Sequence, residues 1–428
     1  MHREHTRRYA RLLVEHAVAL RPDQRLFVRC ETVHRRLALA IAEAAYDLGA
    51  AAVDHSWSEP LEKAMLVRRA RPEAIAVYHQ RDQSWFNEVV RTRSPVIMLV
   101  GEEFPQLAAE LARSHPEASA LFVDGASDAR LAFQQYGIGR RLCPWVLAAA
   151  ATPGWAQRVF PGKEPEEAEK LLAEWIFTFT GADRQDAGAR LAAKARRLAA
   201  RARWLDELAI RELRLYGGNS DLRIALSPRA RWQSTTQQTV WGQSFHPNMP
   251  SEEIFTTPDR RLTHGRLAAS MPFRVPNGVL VKDLVLRFRR GRVVEFAASA
   301  GKEAFARYLE RDAGARYLGE VALVARDSPI ARSGLFFDKF LLDENAASHV
   351  ALGRGFPLAL AGGESMSARQ LEELGCNHSK IHTDIMFGSP EVSIAATLSR
   401  HGEVVLVDRG EWARWATQGS VESAWPLD

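Results

Sequence analysis

Apolar and polar residues along this chain follow two different periods, and the change from one to the other divides it. Over the first two hundred residues, helical spacing and short apolar runs take turns. Residues 9–20 carry apolar side chains at helical spacing, 26–30 read as a strand, 35–48 as a helix stopped by Gly49, and 51–57 as a second strand. Residues 95–100 and 121–124 read as further buried strands, with helical stretches near 104–113 and 126–135. Such alternation predicts an α/β domain built on a parallel sheet. Past a helical stretch ending near Leu208, strand character dominates, at 211–216, 222–226, 278–285, 293–298, 320–325 and 404–408. The pattern therefore predicts an amino-terminal α/β domain over 1–205 and a strand-rich α+β domain over 206–428, since 428 residues exceed one usual core.

Composition narrows the class. Hydrophobic residues make up 46% and charged residues 25%, the proportions of a globular protein. No run of eighteen apolar residues occurs, and Met1-His2-Arg3-Glu4-His5 has none of the apolar character of a secretory signal. Cys30, Cys143 and Cys376 are scattered and odd in number, which argues against a disulfide framework or a cysteine-rich zinc site. Cytoplasmic residence is the expectation. The net charge of +5 is arginine-driven but interleaved with acids, and the densest basic stretch, 190–203, has Leu191, Ala195, Leu198 and Ala202 at helical spacing. That reads as an amphipathic helix with a solvated basic face, so no nucleic-acid partner is expected. Gly137-Ile138-Gly139 lacks the third glycine of a dinucleotide-binding loop.

Candidate chemistry gathers between residues 247 and 389. In Ile381-His382-Thr383-Asp384-Ile385-Met386-Phe387 an imidazole and a carboxylate lie two residues apart in an apolar run, so a strand sends both to one face. A carboxylate in a dry interior needs a partner or a metal to stay ionised. Leu342-Asp343-Glu344-Asn345-Ala346-Ala347-Ser348-His349 holds a second acid and histidine group, and Glu320 is a lone acid in an apolar strand. Pro247 and Pro258 bracket an extended piece with adjacent Glu252 and Glu253, of which alternation turns one inward. Singly, each is explained as well by a core histidine, a helix-start acid or a solvated loop charge. Together, this many carboxylates with two imidazoles suit two neighbouring divalent ions better than one, because one acid can bridge and the others balance charge.

The Asn248 to Pro258 string, Leu318-Gly319-Glu320, Asp343 to His349 and the Asn377 to Ser389 block, with the Tyr9-Ala10-Arg11-Leu12-Leu13-Val14 helix and the Asp221 to Leu226 strand, resemble the M29 metallopeptidases, the thermophilic aminopeptidase or aminopeptidase T family. The likeness runs over nearly the whole chain. It implies an exopeptidase that removes the amino-terminal residue of peptides with two divalent ions, zinc, cobalt or magnesium, usually as a homodimer. Carried over by position, it implies the metal ligands Glu253, Glu320, Glu344, His349, His382 and Asp384, with Glu320 as bridge. Glu252 is the candidate general base, although alternation turns it away from Glu253. The chain departs from the family at Phe356, seven residues after His349, where a tyrosine is usual. A lost phenolic donor points to another donor such as Arg354, a slower reaction or one on a different amide, or a hydroxyl of little weight. A ring-cleaving dioxygenase with one iron, and an inactive peptide-binding relative, are the rival functions. Histidines 246, 264 and 378 are read as neighbours of the site or ordinary polar residues, and the remaining ones, His2 and His401 included, as having no ligand role.

Overall fold

The computed structural model describes residues 3–400 and 402–415, so Met1, His2 and His401 lie outside the described residues, as does the chain after Trp415. Two compact units form, Met1–Lys194 with Thr236–Pro250, and Ala195–Thr235 with Ser251–Asp428. The sequence pattern has the chain pass between domains once, near residue 205. In the fold, 236–250 belongs to the first unit, because Asn248–Met249 pairs with the Trp145–Ala149 strand as the last member of its sheet.

That sheet is parallel throughout, in the order Ala52–Ser58, Arg25–Glu31, Val96–Val100, Trp145–Ala149, Asn248–Met249. Leu26, Phe27 and Val28 are consecutive and all buried, as a parallel strand covered on both faces requires. The Arg3–Arg11 helix continues into a π-helical turn at Leu12–Ala17, and both bury apolar residues. Arg35–Asp47 is a helix, and Gly49 follows it with φ +82°, the left-handed conformation glycine adopts at little cost.

One expected strand is a helix. Residues 121–124 fall inside the Pro116–Ala129 helix, whose proline occupies a first-turn position where its missing N–H costs nothing. Leu121 and Val123 are 40% and 43% exposed while Phe122 between them packs against the Ala64, Val67 and Leu111 cluster, and periodicity alone could not tell so short an apolar run from a strand.

The second unit holds two larger antiparallel sheets over one apolar core, besides the two-stranded pair Phe273–Arg274 and Leu280–Val281. The larger runs Arg292–Ala297, Val285–Arg289, Pro258–Ala268, Ser220–Leu226, Ile210–Gly217, Val392–Leu398, Gly402–Asp408, Glu411–Trp412. The smaller runs Ile254–Thr256, Leu318–Leu323, His349–Gly353, His382–Met386. Val321, Leu323, Val350, Leu352 and Ile385 of the smaller sheet share a core with Leu213, Leu222, Ile224, Leu286 and Ile394 of the larger. Alternation then sends the intervening residues to the opposite face, where Glu320, His349 and Asp384 stand beside Ala322 and Ala351.

Candidate metal centre

Three neighbouring strands deliver the central acids. Glu320 pairs with Ala351, and Ala351 pairs with Asp384, so the three lie in one row across the smaller sheet. Because the outer strands of such a trio are about 10 Å apart and the middle residue is only a methyl group, the two carboxylates have space between them. A bulge between Leu318 and Glu320 resets the alternation, which lets Leu318 join the core while Glu320 faces away from it. His349, at the start of its strand, and His382, at the start of the next, lie on either side of this row.

A third acid obeys the same rule. Ile254 belongs to the shared core and Phe255 to a cluster on the opposite face, so Glu253 shares the face of Phe255. Glu253 Oε2 lies 3.3 Å from His349 Nε2. Glu252 turns the other way and lines a small recess with Arg197, Arg201, Asp327 and Trp412. The alternation that makes Glu253 a site residue is the one that turns Glu252 toward this recess.

Both imidazoles are oriented from behind. His349 Nδ1 lies 3.1 Å from the Ala347 carbonyl and His382 Nδ1 2.9 Å from that of Arg354, so each Nδ1–H donates to main chain. Each Nε2 is left facing the acids, the arrangement a ligating histidine uses. His382 Nε2 is 3.1 Å from Glu320 Oε2 and 3.5 Å from Asp384 Oδ1. Donor atoms of Glu253, Glu320 and His349 lie within 4.8 Å of one another, and so do those of Glu320, His382 and Asp384. Glu320 is common to both trios. Glu344 belongs to neither, but interacts with Asp384 through a side-chain hydrogen bond.

Electrostatics records the crowding. Among the described residues, no lysine or arginine forms an ion pair with Glu253, Glu320 or Asp384. Burial, then the charges of Glu253, Asp384 and Glu320, hold the Glu344 carboxyl well above the usual carboxylate range. Burial also raises Glu320, against the opposing pull of His382. For the histidines burial works against the charged form, yet the surrounding carboxylates outweigh it, pushing His349 up to about 9 and His382 up to about 10. Burial would raise Asp384 too, but the two imidazoles hold it low. Clustered acids held by protons and imidazolium charges form a donor set suited to hard or borderline divalent cations.

Further residues support the site. Phe356 sets its ring 4.9 Å from that of His382 and 5.5 Å from that of Phe255, forming an apolar wall beside the site. Asn377 donates from Nδ2 to the carbonyls of Gly314, Tyr317 and Gly353, pinning the lead-in to the His382 strand. Asp343, 2% exposed, accepts the main-chain N–H of Phe337 and of Lys339, and burial pushes its carboxyl up to about 7. His264 and His378 are exposed and join neither trio, while His246 belongs to the first unit, next to Thr236.

Comparison with known proteins places this geometry among relatives. The family model described as thermophilic metalloprotease (M29) matches residues 2–412. Aminopeptidase PepS of Streptococcus thermophilus is 31% identical over 415 residues, covering 96% of this chain and 98% of that protein. Aminopeptidase T of Thermus aquaticus is 35% identical over 384 residues, covering 87% and 89%. The solved structure of wild-type AmpT from Thermus thermophilus superposes with a TM-score of 0.84 at 30% identity, covering 96% of this chain and 99% of that one.

Proposed function

The chain belongs to the thermophilic metalloprotease family M29, and from that membership and the clustered donors we propose a metal-dependent aminopeptidase that works with a pair of divalent ions sharing Glu320. The observation that carries the pairing is the double membership of Glu320: Glu253 and His349 complete one trio, His382 and Asp384 the other. Glu344 is assigned as the sixth ligand, its carboxyl lying among the same charges. Two divalent ions would balance four carboxylates, and the presence of two imidazole nitrogens favours zinc or cobalt over magnesium. Ions held there would polarise the scissile carbonyl, acidify a water and anchor the free amine of the substrate.

The residues' own part is orientation and exclusion of water. Ala347 and Arg354 fix both imidazole tautomers through their carbonyls. Phe356 and Phe255 give the neighbourhood of His382 a dry side, which strengthens every charge interaction beside it. The substrate is a peptide with a free amino terminus. Cytoplasmic residence is supported by three buried cysteines, all free. A homodimer rests on the family likeness, and sedimentation of the purified chain tests it. No helix among the described residues is long and apolar enough to cross a membrane.

The experiment is metal analysis of the purified chain, with a peptide panel offered before and after chelation. Two equivalents of metal, and chelator-sensitive release of the first residue from free but not acetylated peptides, are expected. One equivalent of iron with oxygen uptake would replace the proposal by ring cleavage, and metal-free chain that binds peptides without cutting them would replace it by a binding role.

A further inference from the structure

Glu253 and Glu344 reach the site from segments about ninety residues apart in sequence, and one side chain joins the two. Asn345 is completely buried. Its Oδ1 accepts the main-chain N–H of Glu252 at 2.6 Å. Its Nδ2 donates to the Leu341 carbonyl at 3.1 Å and to Glu344 Oε1 at 3.4 Å. Its own carbonyl accepts the Ser328 hydroxyl at 2.8 Å, which closes the amide in from a third segment. We propose that Asn345 is a positioning residue: its amide oxygen sets the main chain that presents Glu253, while its amide nitrogen holds Glu344, so that the two carboxylates keep their separation.

The chemistry asks for an amide. The Glu252 N–H needs an acceptor, whereas Leu341 and Glu344 need a donor, and only a group carrying both on adjacent atoms serves all three. An alanine removes the acceptor that the Glu252 N–H uses and the donor that reaches Leu341 and Glu344. A serine hydroxyl is too short to span from Leu341 to the Glu252 main chain. The peptide N–H held by Asn345 is one residue from Glu253 itself, so loosening it releases a donor of the first trio.

The inference rests on the proposed metal centre, and the experiment separates the two. Chelator-stripped wild-type chain, Asn345→Ala, Asn345→Ser and Thr152→Ala are titrated with Co²⁺ against a chromophoric competitor, and their unfolding is followed without metal. Thr152 is an equally buried hydrogen-bonded residue of the other unit, donating to the Glu102 carbonyl, so its loss destabilises without touching the acids. Loss of a group that orients metal ligands typically weakens metal binding by roughly 10- to 100-fold. Asn345→Ala is expected in that range, Asn345→Ser somewhat less affected, and Thr152→Ala within about twofold of wild type despite a lower melting temperature. Should Asn345→Ala fail to fold, Asn345→Ser decides alone. Wild-type affinity in the folded Asn345 variants, or an equal loss in Thr152→Ala, overturns the role of Asn345. Failure of the wild-type chain to take up Co²⁺ overturns the metal centre, and the positioning role with it.

Discussion

Loading the stripped protein with metal should expel protons, and their number follows from the site. His349 and His382 are pushed up to about 9 and about 10 by the carboxylates around them. Ligation requires the neutral imidazole. At about pH 7.5 the protonated form of His349 is therefore favoured by about 30-fold and that of His382 by about 300-fold, each unit being a factor of ten. Together these suppress apparent affinity by about four powers of ten relative to strongly alkaline solution. Apparent affinity should climb by about two powers of ten per pH unit between roughly pH 7 and 9, and flatten above roughly pH 10. Glu344, held well above the carboxylate range, contributes a further proton wherever it is still protonated. The assay is calorimetric titration with Co²⁺ in buffers of different ionisation enthalpy, whose slope reads the protons released as the whole centre fills. Two to three are expected. Release of none, or an affinity that does not change with pH, would refute the electrostatic account of the cluster.

The same shifts set the stability of the metal-free chain, with the opposite consequence. Histidine values raised above the ordinary 6.5 contribute stability fully present below about pH 6.5 and lost as pH rises through 9 to 10. Melting of stripped protein should thus fall between pH 7 and 10 while the loaded protein holds, and a flat stripped profile would count against it. Glu320→Gln removes the residue shared by both trios, so bound metal should drop to one equivalent or less and kcat/KM by at least about a thousandfold, more than loss of a single transition-state donor costs; retention of two equivalents rules out the bridge. Glu252→Gln should leave kcat within about threefold, because its side chain lines another recess, and a hundredfold loss, typical of a missing general base, would restore it to that role. Phe356→Tyr adds a phenolic hydroxyl on the ring packed against His382, and kcat is expected to rise by about tenfold or more if the site lacks one donor; an unchanged kcat shows that the hydroxyl is dispensable here.

What was legible in the sequence is what depends on local alternation. His382 and Asp384 share a face because they are two apart in one strand, and Glu252 and Glu253 part company because they are adjacent. The strands that escaped notice broke the patterns that announce strands. Val392–Leu398 is buried at all but one position, so nothing alternates. Pro258–Ala268, with its proline, three arginines and a histidine, looks like surface and has an irregular register. Row membership was not legible at all, because Glu320, Ala351 and Asp384 are aligned by strand register and a bulge that only the folded sheet defines. Asn345 escaped for the same reason, since its partner is the main chain of Glu252, far away in sequence.

The arrangement of the acids also explains why this fold and its metal belong together. Four carboxylates converging in a mostly buried space repel one another, and removal from water adds a cost that proteins meet by pairing or by protonation. The counter-charges facing Glu253, Glu320 and Asp384 are two imidazoles, each already committed at Nδ1 to a backbone carbonyl. Without cations protons quiet much of the repulsion, which is what the raised values of Glu344, His349 and His382 express. Each arriving cation replaces protons, and stabilises the folded chain through the affinity it has for the folded state alone. A sheet that placed these residues to pack well would have left them apolar. That it buries acids along the row where core residues could have stood is the physical reason to read the row as a place for ions.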